Sequence, residues 1–79
     1  MDIKILGTGC AKCHTVEQNV RKATTELNIQ ANIEKIEDIV QIMKFGVMST
    51  PALIINDKVI FSGKNPSLNE IKEIIQKAQ

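Results

Sequence analysis

Residues 2–13 read DIKILGTGCAKC and decide the fold, because they join a strand to a helix through a short break. Polar and apolar residues alternate from Asp2 and end in Ile5-Leu6, which predicts a strand whose last residues are buried. Gly7-Thr8-Gly9 ends that strand. Since the cysteines follow at once, Cys10 and Cys13 are predicted to stand at the start of a helix.

The predicted helix continues to about Leu27, because apolar residues recur at spacings of three and four and form one stripe. The residues of that stripe are Cys13, Val16, Val20, Ala23 and Leu27. Asn28 is the expected helix stop, and residues 31–36 alternate again, with Ala31, Ile33 and Ile36 predicted to point inward. A strand–helix–strand connection of this length favours a parallel pair with a right-handed crossover.

A short second helix is predicted after this crossover. Glu37-Asp38 would start it, Gly46 would end it, and Ile39, Ile42 and Met43 would share its inward face. Met43 is therefore assigned to the core.

A hairpin and a final helix complete the predicted chain. Residues 52–55 and 58–61 form strands joined by the turn residues Asn56-Asp57. Ser67 and Glu70 have the spacing of a capping box, and an apolar stripe follows them. The predicted order is β-α-β-α-β-β-α, which indicates an α/β sandwich of two or three layers.

Size and composition predict one soluble domain over residues 1–79. Lys plus Arg number 10 and Asp plus Glu number 9, so no basic patch for nucleic acid is indicated. The two aromatic residues, Phe45 and Phe61, are too few to form stacking platforms for single strands. No targeting segment or long apolar run is visible, which predicts a cytoplasmic protein that does not bind membranes. No heptad pattern favours an obligate dimer, so a monomer is expected.

The cysteine spacing indicates redox or metal chemistry. Two cysteines separated by two residues close too small a loop to be a useful structural staple. In a reducing cytosol such a pair is typical of catalysis or metal binding. At a helix start, residues three apart lie on the same side of one turn, within the separation that a disulfide tolerates.

Cys10 is predicted to be the nucleophile, because the N-terminus of a helix stabilises a thiolate. Lys12 and, when protonated, His14 add positive potential, so the pKa of the Cys10 thiol is expected to fall below its usual value. Cys13 lies on the apolar stripe and is predicted to be the buried, resolving thiol. The expected reaction is disulfide exchange through a mixed disulfide, with no cofactor and no metal.

These features resemble the thioredoxin-like proteins of the small, glutaredoxin-sized kind found in archaea and bacteria. The resemblance covers nearly the whole chain and rests on residues 7–13 and on Ser49-Thr50-Pro51-Ala52-Leu53 before the hairpin. It implies a four-stranded mixed sheet, disulfide-containing protein substrates and a protein reductase as electron donor. It also implies a cis peptide bond before Pro51, which would face the dithiol, and a Thr50 that presents backbone groups to an extended substrate.

The chain departs from typical thioredoxins in the motif itself. Gly9 stands where they have Trp, and Ala11-Lys12 stands where they have Gly-Pro. Their buried acid has no recognisable counterpart, because Glu17, one turn after Cys13, is expected to be exposed. The glutathione-binding residues of glutaredoxins are not recognisable either, so glutathione is not the expected reductant.

Three alternatives use the same cysteines. In a soft-metal carrier Cys10 and Cys13 would hold Cu(I) or Zn, but such chaperones have the order β-α-β-β-α-β and end in a strand. Residues 10–14 also match the attachment motif of c-type haem, but a core-facing Cys13 leaves little space for a porphyrin. The third alternative is a redox-sensing binding module without turnover.

The segment before Pro51 is predicted to border the substrate surface. It contains Phe45, Met48 and the Gly46-Val47 loop. Apolar and flexible side chains of this kind suit contact with a peptide.

Overall fold

The computed structural model describes residues 1–9 and 11–78. Within them the chain forms four strands and three helices in the order β-α-β-α-β-β-α. The strands are β1 (Asp2–Leu6), β2 (Asn32–Ile36), β3 (Ala52–Ile55) and β4 (Lys58–Ser62), and the helices are α1 (Ala11–Glu26), α2 (Ile39–Lys44) and α3 (Leu68–Ala78). The α/β fold class is confirmed, and the last element of the described residues is a helix, unlike the order of the metal-carrier alternative.

The strands form one mixed sheet in the order β2-β1-β3-β4. β1 is parallel to β2, with Ile3 opposite Ile33, as a helical crossover between them requires. β3 is antiparallel to both β1 and β4. Asn56 and Asp57 have φ angles of 49° and 68°, the two positive values that a tight hairpin turn needs. The predicted four-stranded mixed sheet is therefore confirmed.

Helices cover both faces of the sheet. On one face, α1 and α3 pack on side chains of β1 and β3; this cluster contains Ile3, Ile5, Val16, Val20, Ala23, Leu53, Ile55, Phe61, Ile71 and Ile75. On the other face, α2 and the loop after it cover a second cluster of Leu6, Ile36, Ile42, Val47, Ala52 and Ile54. Side chains of a strand alternate between faces, so β3 buries all four of its residues because both faces are covered. The sandwich has three layers.

The end of α1 and the start of α3 are determined by short local sequence patterns. Asn28 ends α1 with a φ of 56°, and the amide of Ile29 donates to the carbonyl of Thr24 at 2.9 Å. The amide of Ser67 donates to Glu70 Oε1 at 3.1 Å, and the amide of Glu70 donates to Ser67 Oγ at 3.3 Å. The predicted capping box before α3 is confirmed.

The assignment of Met43 to the core is wrong. Helix α2 has six residues and buries one of them, Ile42. Met43 is 68% exposed and Ile39 is 60% exposed. A helix this short contacts the sheet through a single turn, so the rest of its apolar face remains at the surface.

The helices of the described residues are too short or too polar to cross a membrane.

Candidate active site

The first turn of α1 carries the second cysteine of the motif. Cys10 lies outside the described residues, and α1 begins at the next residue, Ala11. Cys13 is the third residue of α1, is 0% exposed and is disulfide-bonded. The predicted burial of Cys13 is confirmed, and it follows from the apolar stripe that Cys13 shares with Val16 and Val20.

Gly7 makes the space that Cys13 occupies. A Cβ atom on Gly7 would lie 2.6 Å from Cys13 Sγ and 2.7 Å from Cys13 Cβ, closer than non-bonded atoms approach. The amide of Gly7 donates to the carbonyl of Ile36 at 3.0 Å, which fixes Gly7 against β2. From the sequence alone, Gly7 is predicted only to end a strand. The contact with Cys13 arises from the fold and has no local pattern.

Lys12 and His14 lie on the outer side of the first turn of α1. Both are exposed. His14 Nδ1 is 4.0 Å from Glu17 Oε1, so the predicted outward direction of His14 is confirmed. The two side chains are in a position to add positive potential at the end of α1 where the motif lies.

Glu17 is not the exposed residue that the sequence predicts. Its side chain is 15% exposed and accepts from Arg21 of α1 at 3.1 Å and from Lys35 of β2 at 3.2 Å. Burial raises the pKa of the Glu17 carboxyl, but the hydrogen bonds and charges of Lys35 and Arg21 outweigh burial and hold the pKa below its ordinary 4.5. The spacing of Glu17 and Arg21 was visible in the sequence, whereas the approach of Lys35 depends on the parallel crossover.

Glu17→Gln is expected to lower the free energy of unfolding at pH 7 by about 1 kcal/mol, because it removes a carboxylate that two cations hold. A depressed pKa contributes stability above the ordinary value of 4.5 and loses it as the pH falls through the folded-state pKa. The difference from wild type should therefore shrink between pH 7 and pH 3 in urea unfolding. Glu73→Gln, at an exposed position of α3, is the control, and an equal loss at both pH values would contradict the prediction.

The Thr50-Pro51 peptide bond is cis, as the resemblance implied. The Pro51 side chain is fully buried, and its carbonyl accepts from the amide of Gly63 at 2.8 Å. Thr50 is half-buried. Of the two residues, Thr50 is therefore the one with side-chain surface available to a ligand.

Thr8 and Thr50 line the same apolar groove, which has a volume of about 600 Å³. The fold thus brings the loop before the cysteines to the Thr-Pro step. The remaining lining residues come from α2 and the loop after it: Ile39, Ile42, Met43, Gly46, Val47 and Met48. Met48 is 98% exposed, so the wall of the groove is open to a partner.

Phe45 does not line this groove, although the sequence suggested that it would border the same surface as Met48. It is half-buried and packs against the cluster that contains Ile42. Lys4 Nζ lies 5.1 Å from the centre of its ring, a cation–π distance. Phe45 therefore belongs to the packing of α2 on the sheet.

Among residues 1–9 and 11–78, no group of three or more His, Cys, Asp and Glu side chains is placed to hold a metal ion.

Comparisons with known proteins agree with this fold over almost the whole chain. Residues 1–76 match the family model described as the thioredoxin domain. The chain is 46% identical over 71 residues to a thioredoxin of Methanocaldococcus jannaschii, which covers 90% of this chain and 81% of that protein. It is 41% identical over 75 residues to a thioredoxin of Methanothermobacter thermautotrophicus, covering 95% and 97%. A probable thioredoxin of Archaeoglobus fulgidus is 34% identical over 68 residues, covering 86% and 74%.

Proposed function

This chain belongs to the thioredoxin domain family and is a thiol–disulfide oxidoreductase, and we propose that Cys10 is its nucleophile and Cys13 its resolving thiol. The observation that carries this assignment is the burial of Cys13, which is 0% exposed. A buried sulfur cannot be the first to meet a disulfide on another protein. Because the chain has two cysteines, the first attack falls to Cys10.

The proposed reaction transfers two electrons in two exchange steps. The Cys10 thiolate attacks one sulfur of a substrate disulfide, the substrate S–S bond breaks, and the departing sulfur takes up a proton. Cys13 then loses its proton and attacks the Cys10 sulfur of the mixed disulfide. The second substrate thiol leaves reduced, and the protein is left with an intramolecular disulfide.

The start of α1 supports the first step. The first N–H groups of a helix have no partner within the helix and, together with the helix dipole, favour a negative charge. Since α1 begins at Ala11, these groups lie directly after Cys10 in the chain. Exposed Lys12 and, when it is protonated, His14 add positive charge on the same turn, which favours a thiolate as the nucleophile.

The groove between Thr8 and Thr50 supports a protein substrate. Its lining is apolar apart from the two threonines, so it suits an uncharged, apolar side chain near the substrate disulfide. In this proposal Thr50 offers backbone groups to an extended substrate segment, and the buried Pro51 supports that segment from below. The proposed partners are disulfide-containing proteins and a protein reductase that returns two electrons. Residues 1–79 would act as one cytoplasmic, monomeric domain that binds neither nucleic acid nor membranes.

Alkylation order tests the two sulfur roles on the unmodified protein. Fully reduced protein treated with a limiting amount of iodoacetamide near pH 7 should carry the label on Cys10 at least about tenfold more often than on Cys13, because the reagent reacts with accessible thiolates. Peptide mass spectrometry measures the ratio. The same reaction in denaturant is the control and should label both cysteines equally. Preferential labelling of Cys13 in the folded protein would overturn the assignment.

A further inference from the structure

The segment before β3 and the residue after β4 are in close contact. Gly63 follows the last residue of β4, and Ser49 lies two residues before Pro51. A Cβ atom on Gly63 would lie 2.8 Å from Ser49 Cβ and 3.5 Å from Ser49 Oγ. Carbon atoms that are not bonded to each other pack at about 3.5–4.0 Å. The Ser49 side chain therefore occupies the space that a side chain on Gly63 would need.

A hydrogen bond joins Gly63 to the same segment. The amide of Gly63 donates to the carbonyl of Pro51 at 2.8 Å, which extends the pairing of β3 with β4 by one residue beyond Ala52 and Ser62. Gly63 has a φ of +74°, a left-handed conformation that glycine adopts without the steric cost of a Cβ atom. The pairing of the two strands thus ends at Pro51 and Gly63.

Thr50 lies between these two contacts. Ser49 before it packs on Gly63, and Pro51 after it is hydrogen-bonded to Gly63. Within the part of the chain that the structure describes, no other backbone group is hydrogen-bonded to the amide or the carbonyl of Thr50. The contacts on either side therefore determine where these two groups point.

We propose that Ser49 is a positioning residue for protein substrates, whose side chain packs on Gly63 and holds the Thr50 backbone where an extended substrate segment binds. The proposal rests on the proposed function, in which Thr50 offers backbone groups to the substrate. An extended segment is held by main-chain hydrogen bonds, and these weaken when the N–H and C=O groups are misaligned. A shift of Ser49 therefore weakens the binding of a polypeptide. A small disulfide without a peptide backbone does not use these groups.

The gap between the two segments has room for one Cβ atom, which Ser49 supplies. In the Gly63→Ala protein two Cβ atoms compete for the gap, and in the Ser49→Gly protein none fills it. The double variant Ser49→Gly/Gly63→Ala has one Cβ atom again, supplied from the other side. The geometry thus predicts two harmful single substitutions that compensate each other.

The preference for a protein disulfide over a small one measures the role of Ser49. Fully reduced protein is mixed with excess insulin or with excess 2-hydroxyethyl disulfide, and its oxidation is followed by acid quenching and thiol alkylation. The ratio of the two rate constants should fall roughly tenfold in Gly63→Ala and roughly threefold in Ser49→Gly, because the substrate segment is misplaced. The double variant should recover to within about twofold of wild type, whereas independent effects would multiply to roughly thirtyfold.

Two features of the design separate positioning from stability. The strain of alanine at a φ of +74° is present in both Gly63→Ala and the double variant, so the difference between them reports the contact with Ser49. Ile75→Val is the stability control, because it removes a methyl group from a fully buried side chain packed under α1 and α3. It should keep the wild-type ratio.

A wild-type ratio in Ser49→Gly, or a double variant that loses as much as Gly63→Ala, would overturn the proposal. Ser49→Gly adds no atom to the fold, so the first of these tests does not depend on the folding of Gly63→Ala. The proposed function fails in other ways. Labelling of Cys13 before Cys10 rejects the sulfur roles, and a wild-type protein that reacts no faster with insulin than with the small disulfide rejects the substrate contact at Thr50 together with the role of Ser49. The expected labelling and a preference for insulin, combined with an unmoved ratio in the variants, reject only the role of Ser49.

Discussion

Replacing Cys10 with serine is expected to reduce disulfide turnover by at least roughly a thousandfold, to the uncatalysed background. A serine hydroxyl cannot form a disulfide, and Cys13 cannot take over the first attack because it is 0% exposed. The rate is measured as dithiothreitol-driven reduction of insulin.

The Cys13→Ser protein should lose disulfide turnover at the second exchange step, in which the mixed disulfide is resolved. Cys10 can still attack, but no second sulfur releases the substrate, so mixed disulfides should accumulate and appear on non-reducing gels. The two variants are matched controls, because each exchanges one sulfur for one oxygen and leaves the other cysteine in place. Circular dichroism must show that Cys13→Ser remains folded, since it places a hydroxyl at a buried position.

The result that would contradict the sulfur roles is a reversal of this pattern. Turnover retained in Cys10→Ser, or mixed disulfides that accumulate in Cys10→Ser and not in Cys13→Ser, would assign the first attack to Cys13. Loss of turnover without any trapped complex in Cys13→Ser would show that Cys10 does not attack substrates on its own.

The parts of the fold that the sequence predicted are those that local patterns determine. Strand β1, the stop at Asn28 and the Ser67–Glu70 capping box depend on residues that are neighbours in sequence. The parallel β1–β2 pair also follows from sequence, because a helix of this length between two strands permits few other arrangements.

The errors lie where two distant segments meet. Met43 has the spacing of a core residue, but α2 meets the sheet only at Ile42. Glu17 has the surroundings of a surface residue until β2 brings Lys35 to it. A periodic pattern predicts which side chains share a face, but it does not predict which other segment packs against that face.

In the candidate site too, some residues could be identified from the sequence and others depend on contacts between distant segments. The cysteines and Thr50-Pro51 could be identified from residue type and spacing, which chemistry constrains. The groove could be anticipated only in part, because Met48 and the Gly46-Val47 loop line it and Phe45 does not. Nothing in the sequence around Gly7 indicated more than the end of a strand. Its contact with Cys13 depends on how α1 packs against β1.

Gly7→Ala is expected to cost about 3 kcal/mol of the free energy of unfolding, near the upper end of the usual range for overpacking a core. The added methyl group would meet the Cys13 side chain at 2.6 and 2.7 Å, where contacts of roughly 3.5 Å or more are required. Neither partner can move easily, because Gly7 is hydrogen-bonded to Ile36 at 3.0 Å and Cys13 lies buried in α1. Urea unfolding of the oxidised protein measures the loss.

Gly46→Ala separates this steric cost from a backbone cost. Apart from its chain neighbours, no atom of residues 1–9 and 11–78 lies within 4 Å of a Cβ on Gly46, but its φ is +76°, so this variant should lose only about 1 kcal/mol. Gly7→Ala should also prolong the mixed disulfide, because a displaced Cys13 reaches the Cys10 sulfur less often. If Gly7→Ala lost no more stability than Gly46→Ala and resolved mixed disulfides at the wild-type rate, the close fit between Gly7 and Cys13 would have no part in holding the resolving sulfur. The expected pair of effects instead makes Gly7 the residue through which the end of β1 positions Cys13 for the second exchange step.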